Sequence, residues 1–221
     1  MMIRSVVLLA TIFVAFIELQ AQNVTLEGIN TLQEFVSKTK KGSWEEVKNK
    51  KGISINYRDL VVSETIETRE LSVRFNIKYS SIDSLIAHIK MPKHVRNWND
   101  AVREISLLIN NKRSWISHTV YDIPFPFKQQ DLVTYSTLNK DGDVIILSSK
   151  SIPNYIQPKK GVHREGYNLS EWRLTTSNNE VVEVEFCAIS LTNSSIPRFL
   201  KDPIIQRNLI NSFINLKQGL L

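Results

Sequence analysis

Cysteine is nearly absent from this sequence, because Cys187 is the only one in 221 residues. A lone cysteine cannot form an intrachain disulfide, so the fold must be stabilised by packing. The chain also lacks a Pro/Gly/Ser-rich linker, a low-complexity tract and an internal repeat that would divide it. About 200 residues follow the N-terminal segment, and this length suits one domain with a sizeable core.

Familiar catalytic and metal-binding motifs are missing as well. The sequence has no G-x-S-x-G elbow, no phosphate-binding glycine loop and no H-E-x-x-H. The segment 163–165 fits H-x-E, but a zinc deaminase also needs P-C-x-x-C. His88, His94 and His118 lack the paired spacing of zinc ligands, so no metal or cofactor is predicted. Cys187 lies within a predicted apolar strand, and this position indicates an inert buried thiol rather than a nucleophile.

Long hydrophobic runs are absent except at the N-terminus. Arg4 precedes an apolar run over residues 6–17, and the small Ala21 follows it. This is the layout of a secretory signal, since the run is about half of the roughly 20 residues that cross a bilayer and Glu18 interrupts it. The sequence predicts a signal peptide over residues 1–21, a mature domain over 22–221 and an exported, periplasmic or secreted protein. A buried N-terminal helix is the alternative interpretation.

Positive charge exceeds negative charge by 6, but it is not gathered into a dense block. We therefore predict no nucleic-acid partner. The most basic segment indicates a solvated face, and weak attraction to anionic lipid headgroups at a membrane surface is its functional alternative. That segment contains Lys38, Lys40, Lys41, Lys48, Lys50 and Lys51.

The hydrophobic periodicity predicts an α+β domain. A first helix is predicted over residues 32–48, broken at Gly42, and a second over residues 81–90, ended by Pro92. Turns are predicted at Asp141-Gly142 and Asn178-Asn179. Short turns between strands indicate an antiparallel sheet, which we expect to curve. Period-two patterns predict strands over residues 53–60, 71–79, 102–109, 114–121, 132–138, 144–149, 166–175 and 181–191.

A long helix is predicted to end the domain and to cover the sheet. The last strand has one strongly apolar face, formed by Val182, Val184, Phe186 and Ala188. Asp202 is predicted to be the N-cap before Pro203, with a break or kink near this point. The apolar stripe that follows is expected to lie across the concave side of the sheet. It contains Ile205, Leu209, Ile210, Phe213, Ile214 and Leu216.

Six short segments resemble those of one known family, in the same order along the chain. The family is the START domains, the steroidogenic acute regulatory protein-related lipid transfer domains. The segments are Trp44 with Gly52-Ile53-Ser54-Ile55; Trp98-Asn99 with Val102-Arg103-Glu104-Ile105; Tyr121, Pro124 and Pro126 with Asp131-Leu132-Val133; Gly161-Val162-His163-Arg164; Trp172-Arg173-Leu174; and Ile196-Pro197-Arg198-Phe199-Leu200.

The resemblance implies a helix-grip fold, in which a curved antiparallel sheet wraps around a long C-terminal helix and encloses an apolar cavity. It also implies non-enzymatic transport or sensing of a lipid or sterol, by a chain that we expect to be a monomer. Gln130 replaces an arginine of the family pattern, so any role of that arginine in ligand recognition is not transferred. Ligand entry is expected near residues 196–203.

The ligand-binding candidates combine aromatic, apolar and arginine side chains. For the aromatic residues the alternative is ordinary core packing, and for the arginines it is extension into solvent. Two other functions remain open, an enzyme of the cyclase or hydrolase type on the same scaffold and a structural domain with a filled interior. The candidates are Trp98, Arg103, Tyr121, Tyr135, Arg164, Trp172, Ile196 and Leu200.

Overall fold

Alternating apolar side chains build the central sheet of the protein. The structure, a computed structural model, describes residues 28–78, 81–123, 128–178, 181–191 and 198–220. Within these ranges, 11 strands form a single curved sheet. Every pairing in it is antiparallel except the short one between residues 130–131 and 163–164.

The helices and strands follow one another in an α+β order. They are α1 Leu32–Ser37, β1 Lys40–Lys41, β2 Glu45–Lys50, β3 Ile53–Val61, β4 Glu67–Lys78, α2 Ile82–Lys90, α3 Pro92–Trp98, β5 Val102–Asn110, β6 Ser114–Tyr121, β7 Gln130–Asp141, β8 Val144–Ser151, β9 His163–Arg164, β10 Asn168–Asn178, β11 Val181–Ser190 and α4 Arg198–Gly219.

Hairpins connect most neighbouring strands, but the centre of the sheet joins distant parts of the chain. The strand order is β1-β3-β4-β11-β10-β8-β7-β6-β5, with β2 beside β3 and β9 beside β7. The turn from β2 to β3 has positive φ at both central residues, Lys51 and Gly52, as a type I′ hairpin requires. The predicted turn at Asp141-Gly142 is confirmed, with Gly142 at φ 56°.

Helix α4 covers one face of the sheet, which we call the inner face. Alternate residues of β3 and β4 project onto this face, including Ile53, Ile55 and Phe75. Helix α4 buries Ile210, Phe213 and Leu216 against them, and Leu220, which follows the helix, is buried in the same core. Burying a side chain of this size contributes about 1.5–3 kcal/mol, so this contact holds the long helix in place.

A second, smaller core lies on the opposite, outer face of the sheet. Helix α1 packs there, with Thr31 as its N-cap accepting a hydrogen bond from the Glu34 amide at 3.1 Å. The apolar side chains of α1 contact the strand residues that alternate with the inner-face residues and therefore point to the outer face. The buried members are Ile29, Leu32, Phe35, Val36, Leu60, Leu169 and Ile189.

Most predicted strands are confirmed, whereas the first predicted helix is only partly correct. Helix α1 ends at Ser37, and the segment Glu45–Lys50 pairs with β3 as an edge strand. Its pattern is mostly polar because an edge strand buries little. The helix over residues 81–90 is confirmed with Ser81 as its N-cap. Pro92 does end that run, but it also begins α3, where a first-turn proline loses no intrahelical bond.

The prediction of a helix start at Asp202 is wrong. Helix α4 already begins at Arg198 and runs through Pro203 without a break. Pro203 removes one hydrogen bond, the one its amide would donate to the Phe199 carbonyl near the helix start. Asp202 therefore does not cap α4, and its carboxylate instead accepts a hydrogen bond from Arg69 of β4 at 2.8 Å. The predicted signal segment 1–21, the Asn179 half of the second turn and the predicted entry residues 196–197 lie outside the described residues.

Candidate ligand-binding site

An aromatic cluster fills the space between α4 and the middle of the inner face. The Phe213 ring of α4 lies 5.1 Å from Phe75, 5.7 Å from Trp172, 6.0 Å from Phe186 and 6.1 Å from Trp98, measured between ring centroids. Phe213 is only 2% exposed. This cluster packs β4, β10, β11, α3 and α4 against one another.

Two of the predicted site residues, Trp98 and Trp172, meet in this cluster. Their rings are edge-to-face with centroids 6.0 Å apart. Trp98 ends α3, and its indole N–H donates to the His88 carbonyl at 2.8 Å, while Trp172 projects from β10 onto the inner face. Both rings are buried, so the structure brings them together as a wall, and direct ligand contact stays a prediction for each.

A row of small side chains crosses the inner face beside the aromatic cluster. The strand register aligns Ala188, Ser170, Ser149 and Ser136 on β11, β10, β8 and β7, and we call these four residues the small-residue row. The adjacent row holds larger side chains, among them Trp172 and Phe186. The first three members of the small-residue row are only half-buried. Small side chains fill less space above the inner face of the sheet than the large side chains of the aromatic row do.

Hydroxyl groups dominate the inner face on β6, β7 and β8. The Ser136 and Ser149 hydroxyl oxygens lie 2.7 Å apart, and those of Ser117 and Thr134 lie 2.8 Å apart. In each pair one O–H donates to the other oxygen, so one further O–H remains able to donate. The inner-face surface thus offers neutral hydrogen-bonding groups next to an apolar wall.

Tyr121 lies on this hydroxyl-rich part of the inner face. Its strand register pairs it with Gln130 of β7 and Val102 of β5, in line with Thr119 on the same side of β6. Burial raises the pKa of Tyr121 to about 12, and the negative charge of Glu165 adds to the shift. Tyr121 therefore stays protonated at physiological pH and can act as a neutral hydrogen-bond donor.

The structure corrects the predicted placement of Tyr135 and Arg103. Tyr135 pairs with Lys150 and Ile116 on the outer face and is 37% exposed. One residue along a strand reverses the face, so Tyr135 points away from its inner-face neighbour Ser136. Arg103 lies in a β-bulge of edge strand β5, and its side chain is 56% exposed. Neither side chain lines the inner face.

Arg164 is also corrected, because it belongs to a buried ion pair. Its guanidinium donates to both carboxylate oxygens of Asp131, at 2.7 and 2.9 Å, and to the carbonyls of Pro153 and Ile156. His118 contacts the same carboxylate at 2.8 Å. Burial alone would raise the pKa of Asp131, but the bonds from Arg164 and His118 outweigh it, so this pKa is lowered.

This ion pair explains how the chain accommodates Gln130 beside Asp131. The partner of Asp131 comes from β9, since Arg164 and Asp131 face each other in the parallel β7–β9 pair. The bond holds residues 153–164 against the outer side of β7. Arg164 is thus used to fasten this segment rather than to face the inner surface.

The remaining site predictions fall partly beyond what the structure describes. Ile196 and the side chain of Leu200 lie outside the described residues, so their roles stay predictions. Cys187 has a pKa raised to about 12, mainly by burial and then by the charge of Glu185, which agrees with an unreactive thiol. In the described ranges, no three His, Cys, Asp or Glu side chains are grouped closely enough to hold a metal ion.

Sequence reasoning missed the small-residue row as well as the role of Asp202. The row cannot be found by periodicity, because it is assembled from four strands by their register. Tyr57 lies at the β3 end of the same row, and its face could be predicted from the sequence. The predicted alternation of Ile53, Ile55 and Tyr57 is confirmed, because all three project onto the inner face.

Comparison with known proteins places this architecture in a recognised fold. The crystal structure of a STAR-related lipid transfer protein (fragment 25–204) from Xanthomonas axonopodis superposes with a TM-score of 0.70 and 22% identity, covering 81% of this chain and 99% of that one. Human STARD10 gives a TM-score of 0.67 with 14% identity, covering 87% and 80%. Human StAR-related lipid transfer protein 5 gives 0.67 with 15% identity, covering 80% and 86%. The chain therefore has a START-like, helix-grip fold.

Comparisons at the level of sequence are weaker. No family model matches the chain. The uncharacterized protein PA1579 of Pseudomonas aeruginosa is 27% identical over 123 residues, which is 55% of this chain. The chain spans 61% of the length of that relative. No helix within the described ranges is long and apolar enough to cross a membrane.

Proposed function

We propose that this protein binds a hydrophobic small molecule, a lipid or sterol-like compound, between the inner face of the sheet and α4, and carries or senses it without chemical change. The observation that carries the proposal is the small-residue row, which lies beside the aromatic wall on the inner face, the face against which α4 packs. The START-like fold supports the proposal. Two of the three similar structures described above are named lipid transfer proteins, and the third shares the same fold.

Burial of apolar surface is the main term that can hold such a ligand. A molecule that buries about 500 Å² of apolar area gains roughly 12 kcal/mol, which exceeds the association cost over most of its range of about 4–15 kcal/mol. Additional hydrogen bonds then set its orientation. The unused O–H of the Ser117–Thr134 pair and the Tyr121 hydroxyl are suitable donors.

The described inner-face positions favour a ligand without a formal charge. The two central rows, which run from Tyr57 to Trp115 and from Ile55 to Leu138, contain no Asp, Glu, Lys or Arg. A charged group buried there would lack a partner and would be strongly disfavoured. The proposed ligand therefore has a neutral polar group on an apolar body.

Delivery of such a ligand fits an exported protein that touches membranes transiently. The export proposal rests on the residue 1–21 pattern. The membrane proposal rests on the exposed lysines Lys40, Lys41, Lys50 and Lys51 at the β1/β2 edge, which can attract anionic headgroups. Edge lysines also prevent unwanted strand pairing, which is the alternative role of these residues. Replacing the four lysines by glutamine should abolish binding to anionic vesicles, and binding that persists would contradict a contact made through this edge.

Native mass spectrometry of protein purified from its own source tests the binding function. We expect a bound mass that an organic extract identifies as a lipid or sterol, released chemically unchanged after incubation. Ser170→Phe fills the small-residue row and should remove the bound mass. Ser148→Phe is the matched control, because Ser148 is equally half-buried but lies on the outer face next to Glu171.

Two outcomes would reject the proposed function. One is the absence of any bound lipid combined with no thermal stabilisation by sterols, phospholipids or fatty acids, since a ligand that binds the folded state must raise its melting temperature. The other is conversion of the bound molecule into a product.

A further inference from the structure

Two buried polar atoms at the β3 end of the small-residue row have no hydrogen-bond partner. They are the Tyr57 hydroxyl oxygen and Asp202 Oδ1. Tyr57 is 7% exposed and projects from β3 onto the inner face. The register continues from Tyr57 through Leu71 to Ala188 and Ser170. The unpartnered hydroxyl is therefore at one end of the row proposed to hold the ligand.

Arg69 joins these two residues into one group. Its Nη2 donates to Asp202 Oδ2 at 2.8 Å, and its guanidinium carbon lies 3.8 Å from the centroid of the Tyr57 ring. One carboxylate oxygen of Asp202 is thus occupied while the other is free. Burial raises the pKa of Tyr57 and the Asp202 charge adds to this shift, while the Arg69 charge and the nearby Gln206 side chain of α4 oppose it, so the phenol is neutral. Gln206 makes no hydrogen bond of acceptable geometry to the Tyr57 hydroxyl.

The chemistry of the two atoms restricts what can satisfy them. Asp202 Oδ1 only accepts hydrogen bonds, whereas the Tyr57 hydroxyl can both donate and accept. An anionic group would be repelled by Asp202. A cationic group gains little, because Arg69 already neutralises Asp202 and occupies the Tyr57 ring face. A neutral hydroxyl satisfies both atoms, since it can donate to Asp202 and accept from Tyr57.

We propose that Tyr57 and Asp202 form an anchoring site for a hydroxyl group of the bound molecule, which makes the ligand a long-chain or polycyclic alcohol. This inference rests on the proposed function, because it names the ligand class of the same inner-face site. Satisfying two buried polar atoms at once favours the alcohol over a molecule of the same shape that lacks the O–H.

Matched pairs of probes test the anchor directly. The pairs are hexadecan-1-ol with its methyl ether and cholesterol with its methyl ether, titrated into the full protein and followed by tryptophan fluorescence. We expect the wild type to bind at least one alcohol about tenfold more tightly than its ether, the effect of one to two well-placed hydrogen bonds. Tyr57→Phe should reduce this preference to about threefold or less, without changing the affinity for the ether.

Tyr167→Phe provides the matched control. The Tyr167 hydroxyl is also buried and unpartnered, but Tyr167 packs against Phe35 in the outer-face core. Its replacement removes an equivalent atom far from the proposed ligand, and the alcohol preference should remain. Loss of the preference in both variants would overturn the anchor, as it would reflect a general change in the fold.

The anchor and the proposed function fail in different ways. If the wild type binds an alcohol and its ether equally well, the anchor is overturned while hydrophobic binding stands. The same holds if Tyr57→Phe keeps the full preference, which is the result expected if the Tyr57 hydroxyl is satisfied by Gln206 or by a trapped water. If none of the four probes binds, the anchor is overturned, and the proposed function is then decided by native mass spectrometry and by thermal stabilisation with phospholipids and fatty acids.

Discussion

Replacing Asp131 by asparagine should destabilise the protein far more than replacing any surface carboxylate. Asp131 is 0% exposed and is held by Arg164, whose side chain is 7% exposed. Asparagine preserves the shape of the side chain but leaves a buried guanidinium without a counter-charge. Breaking a buried pair in this way costs about 3–5 kcal/mol. This is a large share of the 5–15 kcal/mol that typically stabilises a domain.

Urea denaturation at pH 7 measures this cost, and Glu185→Gln is the control. Glu185 pairs with Arg74 at 2.7 Å, but the two side chains are 30% and 57% exposed, so loss of this pair should cost less than about 1 kcal/mol. For a domain of this size, Asp131→Asn should lower the melting temperature by roughly 6–20 °C. Faster hydrogen exchange is expected at the His163 and Glu165 amides, which bond to β7 and its preceding loop.

The pH dependence provides an independent check with a defined sign. The pKa of Asp131 is lower in the folded protein than its ordinary value of 3.8, so its ionised form contributes stability above that value. The contribution is lost as the pH falls through the lowered pKa. The difference between wild type and Asp131→Asn should therefore be full near pH 6 and shrink below about pH 4. A cost under 1 kcal/mol at pH 7, or a difference that grows in acid, would refute this reasoning.

Two further predictions concern the inner core and the lone thiol. Phe213→Ala should cost about 3–5 kcal/mol by urea denaturation, because Phe213 contacts four aromatic rings and its removal leaves a cavity; a cost below 1.5 kcal/mol would mean that α4 is not held by this cluster. Cys187 should react with Ellman's reagent at pH 8 far more slowly in the folded protein than in urea, since a pKa of about 12 leaves roughly one thiolate in 10⁴. Equal rates in both conditions would show that the thiol is not shielded.

Local patterns were sufficient to predict most of the strands. The alternation of Ile53, Ile55 and Tyr57 specifies an exposed and a buried side without knowledge of any partner strand. The same is true of the helix after Ser81, where spacing and capping agree. Glu45–Lys50 has no such pattern, because a polar edge strand is defined by its pairing with β3 rather than by its own burial.

The site depended on information that no single segment contains. The face of the sheet onto which Tyr135 projects follows from its register with β6 and β8. The sequence could therefore predict an aromatic residue in this strand, but not whether it lies on the inner or the outer face. The small-residue row requires the register of four strands at once. Asp202 before Pro203 matches a common helix start, but the ion pair with Arg69 of β4 and the earlier beginning of α4 are tertiary effects.

The pairing of β4 with β11 has a consequence for how the chain folds. Ser72 and Glu185, which meet across this pair, are separated by 113 residues. Joining strands so distant in sequence costs loop-closure entropy before the stabilising contacts between them can form. Such topologies therefore fold slowly. The inner core cannot close until β11 and α4 have both been synthesised. A nascent chain that ends before β11 therefore leaves the edge of β4 unpaired and its apolar side chains exposed, and it should depend on chaperones until the last strand is synthesised.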